Sequence, residues 1–311
     1  MTSLQSAAGV LSPSGRVERP NTHGALAKPE PMHSRSLGIV QPNGLILHLL
    51  QSGRGTRPCL MIHGFGDGGY IWNEFLPTIA SHYEAFALDL RGHGDSEWDP
   101  EARYDAQAHV ADVVHVIRVL NLHRLVLIGH SMGGEIAMRV AMECAKRIVG
   151  LVIVDFAPTL DPEGIELVRA EVAASHQTYR CAEDYASWLA ERRPLVPKDV
   201  LLRLANCALR AQETEGFRLK ADPAIMRLSD DETNLWTLLP QMNWPVLVVR
   251  GVGSALLSRD VAEQMIESMP DARLQSVPMA GHIVMLDNPD GFAGAVRPFL
   301  LNLLEQQHTF A

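Results

Sequence analysis

The sequence lacks several features that would point to whole classes of protein. It contains no apolar run of the roughly 18 residues that a membrane-spanning helix needs, and its amino terminus lacks the apolar core of a signal peptide. No cluster of basic residues stands out, and the formal net charge is −9. These absences argue against a membrane, an anionic lipid surface or a nucleic acid as partner, and we predict a cytoplasmic protein that acts on a small molecule.

Cysteine is also scarce, and its positions do not suggest a metal site. The four cysteines, Cys59, Cys144, Cys181 and Cys207, show no spacing typical of metal ligands. We interpret them as free thiols in a reducing compartment. Neither a metal nor a cofactor is expected.

The length and the distribution of residue types predict one α/β domain with an insertion. The chain has 311 residues, of which 47% are hydrophobic. Residues 1–36 are rich in Ser, Pro, Gly and Ala without periodicity, which predicts a disordered tail. We predict a core domain in two parts, 37–158 and 244–311, and an inserted helical cap over 159–243.

Strands and helices alternate in the first part of the predicted core. A hairpin is expected over 37–40 and 45–50, because Pro42-Asn43-Gly44 between them is a turn sequence. Apolar runs and helical periodicity then predict strands at 59–62, 85–88, 125–128 and 151–154, with helices near 72–81 and 106–120. This alternation predicts a mostly parallel sheet covered by helices, with functional groups at the carboxyl ends of its strands.

The alternation stops within the predicted insertion and resumes after it. Helical segments are expected at 164–176, 182–193, 198–212 and 233–239, with a hint of strand near Phe217. Strands are predicted again at 245–249 and 274–277, followed by a last helix whose apolar stripe includes Phe292 and Phe299.

The most informative motif is Gly129-His130-Ser131-Met132-Gly133. It lies between the predicted strand 125–128 and a segment with helical apolar spacing. A serine at a sharp strand-to-helix turn is held in a strained conformation that exposes its hydroxyl, and its neighbours must be small so that strand and helix can approach. This context indicates a nucleophilic serine.

Together with three other motifs, this elbow resembles the α/β-hydrolase superfamily. The other motifs are Met61-Ile62-His63-Gly64-Phe65-Gly66, Asp89-Leu90-Arg91-Gly92-His93-Gly94 and Ala280-Gly281-His282, in the order that the family shows. The resemblance runs from about residue 37 to about residue 307. It implies an α/β-hydrolase fold with a helical cap, and Ser131 as nucleophile.

A serine hydroxyl needs a base at neutral pH, and His282 is the best candidate. Its segment resembles the family's last catalytic loop. His63, His93 and His130 lie in turns where the family's histidines are usually structural, so we do not assign them to proton transfer.

The expected acid departs from the family's commoner pattern. Relatives usually carry Asp in the loop after the strand at 245–249, but this chain has Ala255 there and no carboxylate before Asp260. Asp155 ends the strand 151–154, beside the elbow strand. A minority of the family, including certain lipases and acetamidomethylenesuccinate hydrolase, places its acid there. We therefore predict Asp155 as the acid, with Asp260 as the alternative.

The resemblance also implies two backbone donors for an oxyanion, the N–H groups of Phe65 and Met132. The side chains of both residues are expected either to line an acyl pocket or to pack in the core. The following Gly66-Asp67-Gly68-Gly69 run fits no nucleotide-binding motif, and we assign it to a flexible loop near the site.

The leading hypothesis is a cofactor-independent serine hydrolase of a small carboxylic ester, lactone, thioester or activated amide. Alternatives are hydrolysis of a carbon–carbon bond in a vinylogous diketone and a small-molecule receptor on the same fold; a homodimer is left open. Candidate substrate contacts in the cap are Arg180, Arg192 and Trp188. The cap is rich in arginine, so a substrate with a carboxylate is expected if one or two of these side chains point inward: Arg169, Arg180, Arg192, Arg193, Arg203, Arg210 and Arg218.

Overall fold

In the computed structural model, the residues described are 16–18, 34–213, 215–227 and 233–305. Eleven strands lie within these ranges: β1 (Arg16–Glu18), β2 (Arg35–Val40), β3 (Ile46–Ser52), β4 (Arg57–Ile62), β5 (Tyr83–Leu88), β6 (Leu125–His130), β7 (Ile148–Val154), β8 (Leu209–Ala211), β9 (Phe217–Leu219), β10 (Val246–Gly251) and β11 (Ala272–Val277). Most of the predicted disordered tail, 1–36, lies outside the described residues. Within it, β1 and the start of β2 are paired strand residues, which differs from the prediction.

Nine helices lie in the same ranges: α1 (Leu76–Ile79), α2 (Ala106–Val119), α3 (Met132–Glu143), α4 (Pro162–Ser175), α5 (Ala182–Arg192), α6 (Lys198–Ala208), α7 (Arg259–Glu267), α8 (Val284–Asp287) and α9 (Pro289–Glu305). Short 3-10 helices occur at Gly69–Trp72, Ala145–Arg147, Pro223–Met226 and Leu235–Gln241. Among the described residues, no helix combines the length and apolar character that spanning a bilayer requires.

The central sheet has nine strands in the order β1-β2-β3-β5-β4-β6-β7-β10-β11. The six strands from β5 to β11 in this order pair in parallel, and the three at the other edge pair antiparallel. The predicted fold class, an α/β-hydrolase fold with a mostly parallel sheet flanked by helices, is confirmed.

Both faces of the sheet are covered, as the apolar runs of its strands require. Along β6, Leu127 packs on the face that contacts α2 and α3, while Val126 and Ile128 pack on the opposite face with α9. Side chains alternate between faces along a strand, so a polar residue in β6 would enter one core or the other.

The strand order creates a crevice at the carboxyl ends of two central strands. From β4 the chain passes first to β5 on one side and later to β6 on the other. Such a switch point leaves an open space between the loops that follow the two strands. Here those loops carry Gly64 and Ser131, and a Cβ at Gly64 would lie 3.1 Å from the Ser131 Cβ.

The segment between β7 and β10 lies over this crevice. It contains α4, α5, α6 and a small hairpin of β8 and β9. A Cβ at Gly164 in α4 would lie 2.5 Å from the carbonyl oxygen of Ala255, so this helix touches the loop after β10. Near the other end of the segment, Leu239 and Met242 are buried in the core of the sheet domain.

Candidate active site

Ser131 occupies a strained turn between β6 and α3. Its backbone has φ 52° and ψ −126°, a conformation that residues with a side chain rarely adopt. The Ser131 N–H donates to the carbonyl oxygen of Val154 at 3.0 Å, which ties the turn to the end of β7. The elbow predicted from the pentapeptide therefore has the expected strand–turn–helix context.

Glycines on either side of Ser131 make this turn possible. A Cβ at Gly129 would lie 2.1 Å from the carbonyl oxygen of Gly133, and a Cβ at Gly133 would lie 2.4 Å from that of His63. Both obstacles are backbone atoms, which cannot rotate away. The turn therefore requires the two glycines.

His282 and Asp155 are joined by a hydrogen bond of 2.8 Å between Nδ1 and Oδ2. His282 lies in the loop between β11 and α8, and Asp155 follows the last residue of β7. The Asp155 side chain is fully buried and that of His282 is 16% exposed. A carboxylate on Nδ1 fixes the tautomer that leaves Nε2 free to act as a base.

Three donors converge on the Asp155 carboxylate. Besides His282, the N–H of Gly251 donates to Oδ1 at 3.1 Å and the hydroxyl of Ser254 donates to Oδ2 at 2.5 Å. The loop after β10 thus supplies donors to an acid carried by β7. Ala255, at the family's usual acid position, lies next to Ser254, while Asp260 is exposed in the first turn of α7.

The loop after β4 is held by two buried histidines. The Gly66 N–H donates to His93 Nε2 at 3.2 Å, and the Leu90 N–H donates to His63 Nε2 at 3.0 Å. Burial lowers the pKa of His63 and lowers that of His93 to about 3, so both rings are neutral. These histidines position the loop, as the family resemblance implies for them.

His130 lies beneath the site as a third neutral histidine. Its Nε2 is 2.9 Å from the carbonyl oxygen of His282, and the two rings are 4.7 Å apart. Burial, followed by the neighbouring His282, holds the pKa of His130 well below its usual range. An uncharged His130 supports the His282 loop without repelling an imidazolium that forms there.

The two predicted oxyanion donors lie on the loops that border the crevice. Phe65 follows Gly64 after β4, and Met132 is the first residue of α3. Within the part of the chain that is described, neither backbone N–H donates to a protein acceptor. Phe65 lines the pocket described next, and its side chain packs against a small apolar cluster that includes Val172, whereas the Met132 side chain packs against the main core.

A pocket of about 210 Å³ connects these groups with the segment above them. Its lining contains Ser131 and His282 together with apolar residues from α4 and from the chain after α5. The full lining is Phe65, Asp67, His130, Ser131, Val168, Glu171, Val172, Arg192, Arg193, Pro194, Leu195, Gly281, His282, Ile283 and Asp287.

Of the seven arginines considered from the sequence, Arg192 and Arg193 line this pocket. The Arg192 guanidinium stacks over Trp188 at 3.9 Å from the ring centroid. Arg180 has a 90% exposed side chain that pairs with Asp184, and neither it nor Trp188 is part of the lining. Arg192 therefore lines the pocket, Trp188 stacks against the Arg192 guanidinium without lining the pocket, and Arg180 lies at the surface.

Sequence reasoning missed three acidic residues of the pocket lining, Asp67, Glu171 and Asp287. Asp67 was assigned to a flexible loop and Asp287 was not considered, yet both carboxyls are largely buried in the pocket wall. Burial raises the pKa of each. For Asp67 the available signal was its position four residues after His63, on the same loop as Phe65.

Among the described residues, one cluster brings metal-ligating atoms close together, away from the pocket. His48, Asp89 and Asp95 place such atoms within 4.8 Å of one another. His48 Nδ1 already binds Asp89 at 2.8 Å, and Asp95 pairs with Lys220 at 2.8 Å. These contacts explain the cluster as a structural network beside the loop after β5.

Several known proteins are similar to this chain over most of its length. N-formylmaleamate deformylase of Pseudomonas putida is 30% identical over 85% of this chain and 96% of its own length. 2-(Acetamidomethylene)succinate hydrolase of Mesorhizobium japonicum is 27% identical over 79% of this chain and 89% of its own. The crystal structure of E-2-(acetamidomethylene)succinate hydrolase superimposes with a TM-score of 0.78 at 26% identity, covering 86% of this chain and 99% of that one.

Residues 59–295 match the sequence profile of the Alpha/beta hydrolase family. Several relatives of this chain are named as hydrolases, lipases or esterases, which supports a hydrolytic enzyme. The chain belongs to the α/β-hydrolase family.

Proposed function

We propose that this enzyme hydrolyses a small substrate that carries a carboxylate. The bond that it cleaves is an activated amide, a carboxylic ester, a lactone or a thioester. The observation that carries the proposal is the bond of 2.8 Å between His282 and the buried Asp155, in the pocket that Ser131 also lines. It supplies the oriented base that a serine nucleophile requires.

In the proposed first half-reaction, the Ser131 oxygen attacks the substrate carbonyl while His282 Nε2 takes the hydroxyl proton. The carbonyl oxygen becomes an oxyanion between the N–H groups of Phe65 and Met132. The intermediate collapses, His282 gives the proton to the departing nitrogen or oxygen, and the acyl group stays on Ser131. Asp155 stabilises the imidazolium throughout.

The second half-reaction repeats these roles with water. His282 removes a proton from water as its oxygen attacks the acyl carbon, and the same two N–H groups hold the new oxyanion. The proton then returns to the Ser131 oxygen, and the carboxylic acid leaves. Every proton is accounted for by His282, so the proposed cycle uses no metal or cofactor.

Support for an anionic substrate comes from Arg192, which lines the pocket. Arg193 is already engaged, because its Nε donates to Glu171 at 2.8 Å. Arg192 Nη1 donates to the carbonyl oxygen of Trp188 at 3.0 Å, and the ion pair that Arg192 makes with the adjacent Glu191 at 3.4 Å involves a carboxylate that is 78% exposed. Water screens such an exposed pair, so the Nε and Nη2 donors of Arg192 can bind a substrate carboxylate.

Two further observations favour a small substrate of the activated-amide type. The cavity of about 210 Å³ lies below the range of about 300–1,000 Å³ typical of pockets for drug-sized ligands. In addition, two relatives are named for N-formylmaleamate and 2-(acetamidomethylene)succinate, which are both acylated nitrogen compounds with carboxylates. Both compounds are therefore the first substrates to test.

The experiment is a comparison of the wild-type enzyme with Ser131→Ala. Wild type should hydrolyse at least one carboxylate-bearing amide or ester and be labelled once by an organophosphonate, whereas Ser131→Ala should do neither while keeping its circular dichroism spectrum. Labelling at a different serine, or turnover of a vinylogous diketone in preference to every acyl compound, would contradict the proposal.

A further inference from the structure

Asp67 is an unusual carboxylate in the wall of the active-site pocket. Its side chain is 10% exposed, and it lies two residues after Phe65 on the loop that follows β4. Within the described part of the chain, no side chain or backbone N–H donates a hydrogen bond to its carboxylate oxygens. A buried charge without hydrogen bonds is expensive, so such a group in a pocket indicates a missing partner.

The nearest cation compensates this charge only partly. Arg193 Nη1 is 3.8 Å from Asp67 Oδ1, which is too far for a hydrogen bond. That Nη1 is itself buried with no hydrogen-bond partner. Arg193 instead donates through Nε to Glu171 at 2.8 Å. Burial raises the pKa of Asp67, and the opposing Arg193 charge offsets only part of that rise.

The other carboxylates of the site differ from Asp67 in this respect. Asp155 receives three hydrogen bonds, from His282, Gly251 and Ser254. Asp287 accepts the N–H of Gly281 at 2.8 Å, and Glu171 accepts from Arg193. Among the described carboxylates of the pocket lining, Asp67 is therefore the one that accepts no hydrogen bond from the protein, and both of its oxygens can accept from a ligand.

We propose that Asp67 is a substrate-binding residue that accepts a hydrogen bond from the N–H of the scissile amide, so that the enzyme favours amides over the corresponding esters. This inference rests on the proposed hydrolase function. An ester oxygen at the same place has no hydrogen to donate, and its lone pairs face a carboxylate. With the ester, the site therefore lacks a charge-assisted hydrogen bond and Asp67 stays without a partner. Enzymes discriminate most strongly against a substrate analogue that leaves a buried polar group of the site unpaired in this way.

The location of Asp67 fits this role. Its loop carries the Phe65 N–H that would bind the carbonyl oxygen, and Phe65 and Asp67 line the same pocket as Ser131 and His282. The Gly66 N–H is bound to His93, which limits movement of the segment between the two residues. A substrate held at Phe65 would thus present its neighbouring nitrogen to a fixed acceptor.

The kinetic test uses two probes that differ only at the scissile atom: mono-4-nitrophenyl succinate and N-(4-nitrophenyl)succinamate. Asp67→Ala should lower kcat/KM for the amide by about 10- to 100-fold more than for the ester, the effect expected for one charge-assisted hydrogen bond. Asp67→Asn, which keeps an acceptor oxygen, should lose less. Glu171→Gln is the matched control, because it removes a carboxylate from the same arginine and should affect both probes alike.

Binding to an inert enzyme separates this inference from the proposed function. In a Ser131→Ala background, calorimetry should show that Asp67→Ala weakens binding of the amide by about 10- to 100-fold more than binding of the ester. An unchanged ratio in properly folded variants, judged by circular dichroism, overturns the role of Asp67. Absence of turnover by wild type would instead contradict the proposed function, and the binding measurement would still decide the role of Asp67.

Discussion

Asp155 at the end of β7 binds His282, a role that an acid in the loop after β10 has in most relatives. The loop after β10 lacks a carboxylate at the family's usual position but places Ser254 and the Gly251 N–H on Asp155. These donors stabilise the ionised carboxylate in a fully buried site. The loop therefore still serves the acid, although it no longer carries it.

We expect Asp155→Asn to lower kcat by about 10⁴-fold, by analogy with the loss of the acid from a serine-protease triad. An amide in place of the carboxylate would favour the wrong tautomer of His282. Asp260→Asn should keep kcat within roughly tenfold, because Asp260 is exposed in the first turn of α7. Steady-state kinetics on one ester decides between them, and the reverse ranking would identify Asp260 as the acid.

Arg192 gives a second prediction on a single side chain. Arg192→Ala should raise KM for a carboxylate-bearing substrate by about 10- to 100-fold, the effect of losing a charge-assisted hydrogen bond of about 1.5–3 kcal/mol. KM for a neutral ester should change little. Arg180→Ala is the control, since that side chain is 90% exposed and outside the pocket. Equal effects on both substrates would show that Arg192 does not bind the carboxylate.

The sequence was informative about individual residues where a motif or a strand end specified them. Ser131, His282 and Asp155 were predicted from such patterns, and the structure places them together. Ser254 could not be predicted in this way. The Ser254–Asp155 contact joins residues 99 positions apart, and it depends on the path of a loop rather than on a local pattern.

The sequence predicted which helices and strands occur more accurately than it predicted the residues at which they end. The strands at β4, β5, β6 and β7 were expected from apolar runs, because a buried parallel strand must be apolar throughout. The predicted helix over 198–212 was too long, since α6 ends at Ala208 and β8 follows. Residues of β8 form backbone hydrogen bonds with β9 instead of continuing the helix, and the spacing of apolar residues does not indicate such a pairing. Apart from the placement of the strand 151–154 beside the elbow strand, the strand order was not predicted.

The close contact between β6 and α3 gives a prediction about these elements. Gly129→Ala should destabilise the protein strongly or prevent folding, because its Cβ would lie 2.1 Å from a backbone oxygen. Gly294→Ala in α9 is the matched control, since a Cβ there has no atom within 4 Å. It should stabilise the protein by about 0.5–1 kcal/mol through helix propensity. Urea unfolding measures both, and similar stabilities for the two variants would contradict the close-packing argument.

The protein as a whole carries several buried histidines that cannot readily become charged. Burial lowers the pKa of His63, His93, His109 and His130. In the unfolded chain these groups titrate near pH 6.5, so below that pH the unfolded state binds more protons and gains free energy relative to the folded state. Stability should therefore fall as the pH drops below about 6.5.

Lowering the pH from 7.5 to 5.5 should reduce the free energy of unfolding by up to about 1.4 kcal/mol for each of these histidines, or by about 5 kcal/mol for the four together. Urea unfolding at the two pH values measures this loss. His109→Leu should reduce it by about a quarter, whereas His82→Gln, which changes an exposed histidine, should leave it unchanged. An unfolding free energy that is the same at both pH values would show that the buried histidines take up protons without unfolding.

The attachment of Asp155 to β7 also affects how the enzyme moves. Ser131 and Asp155 follow neighbouring strands, and the Ser131 N–H is bonded to Val154, so these two groups form one rigid piece of the sheet. His282 lies instead on a loop, a kind of segment that opens at lower free energy than core strands. On warming, the imidazole should leave the other two groups before the sheet melts. Inactivation by this route is reversible, because the nucleophile and the acid keep their positions while the histidine returns.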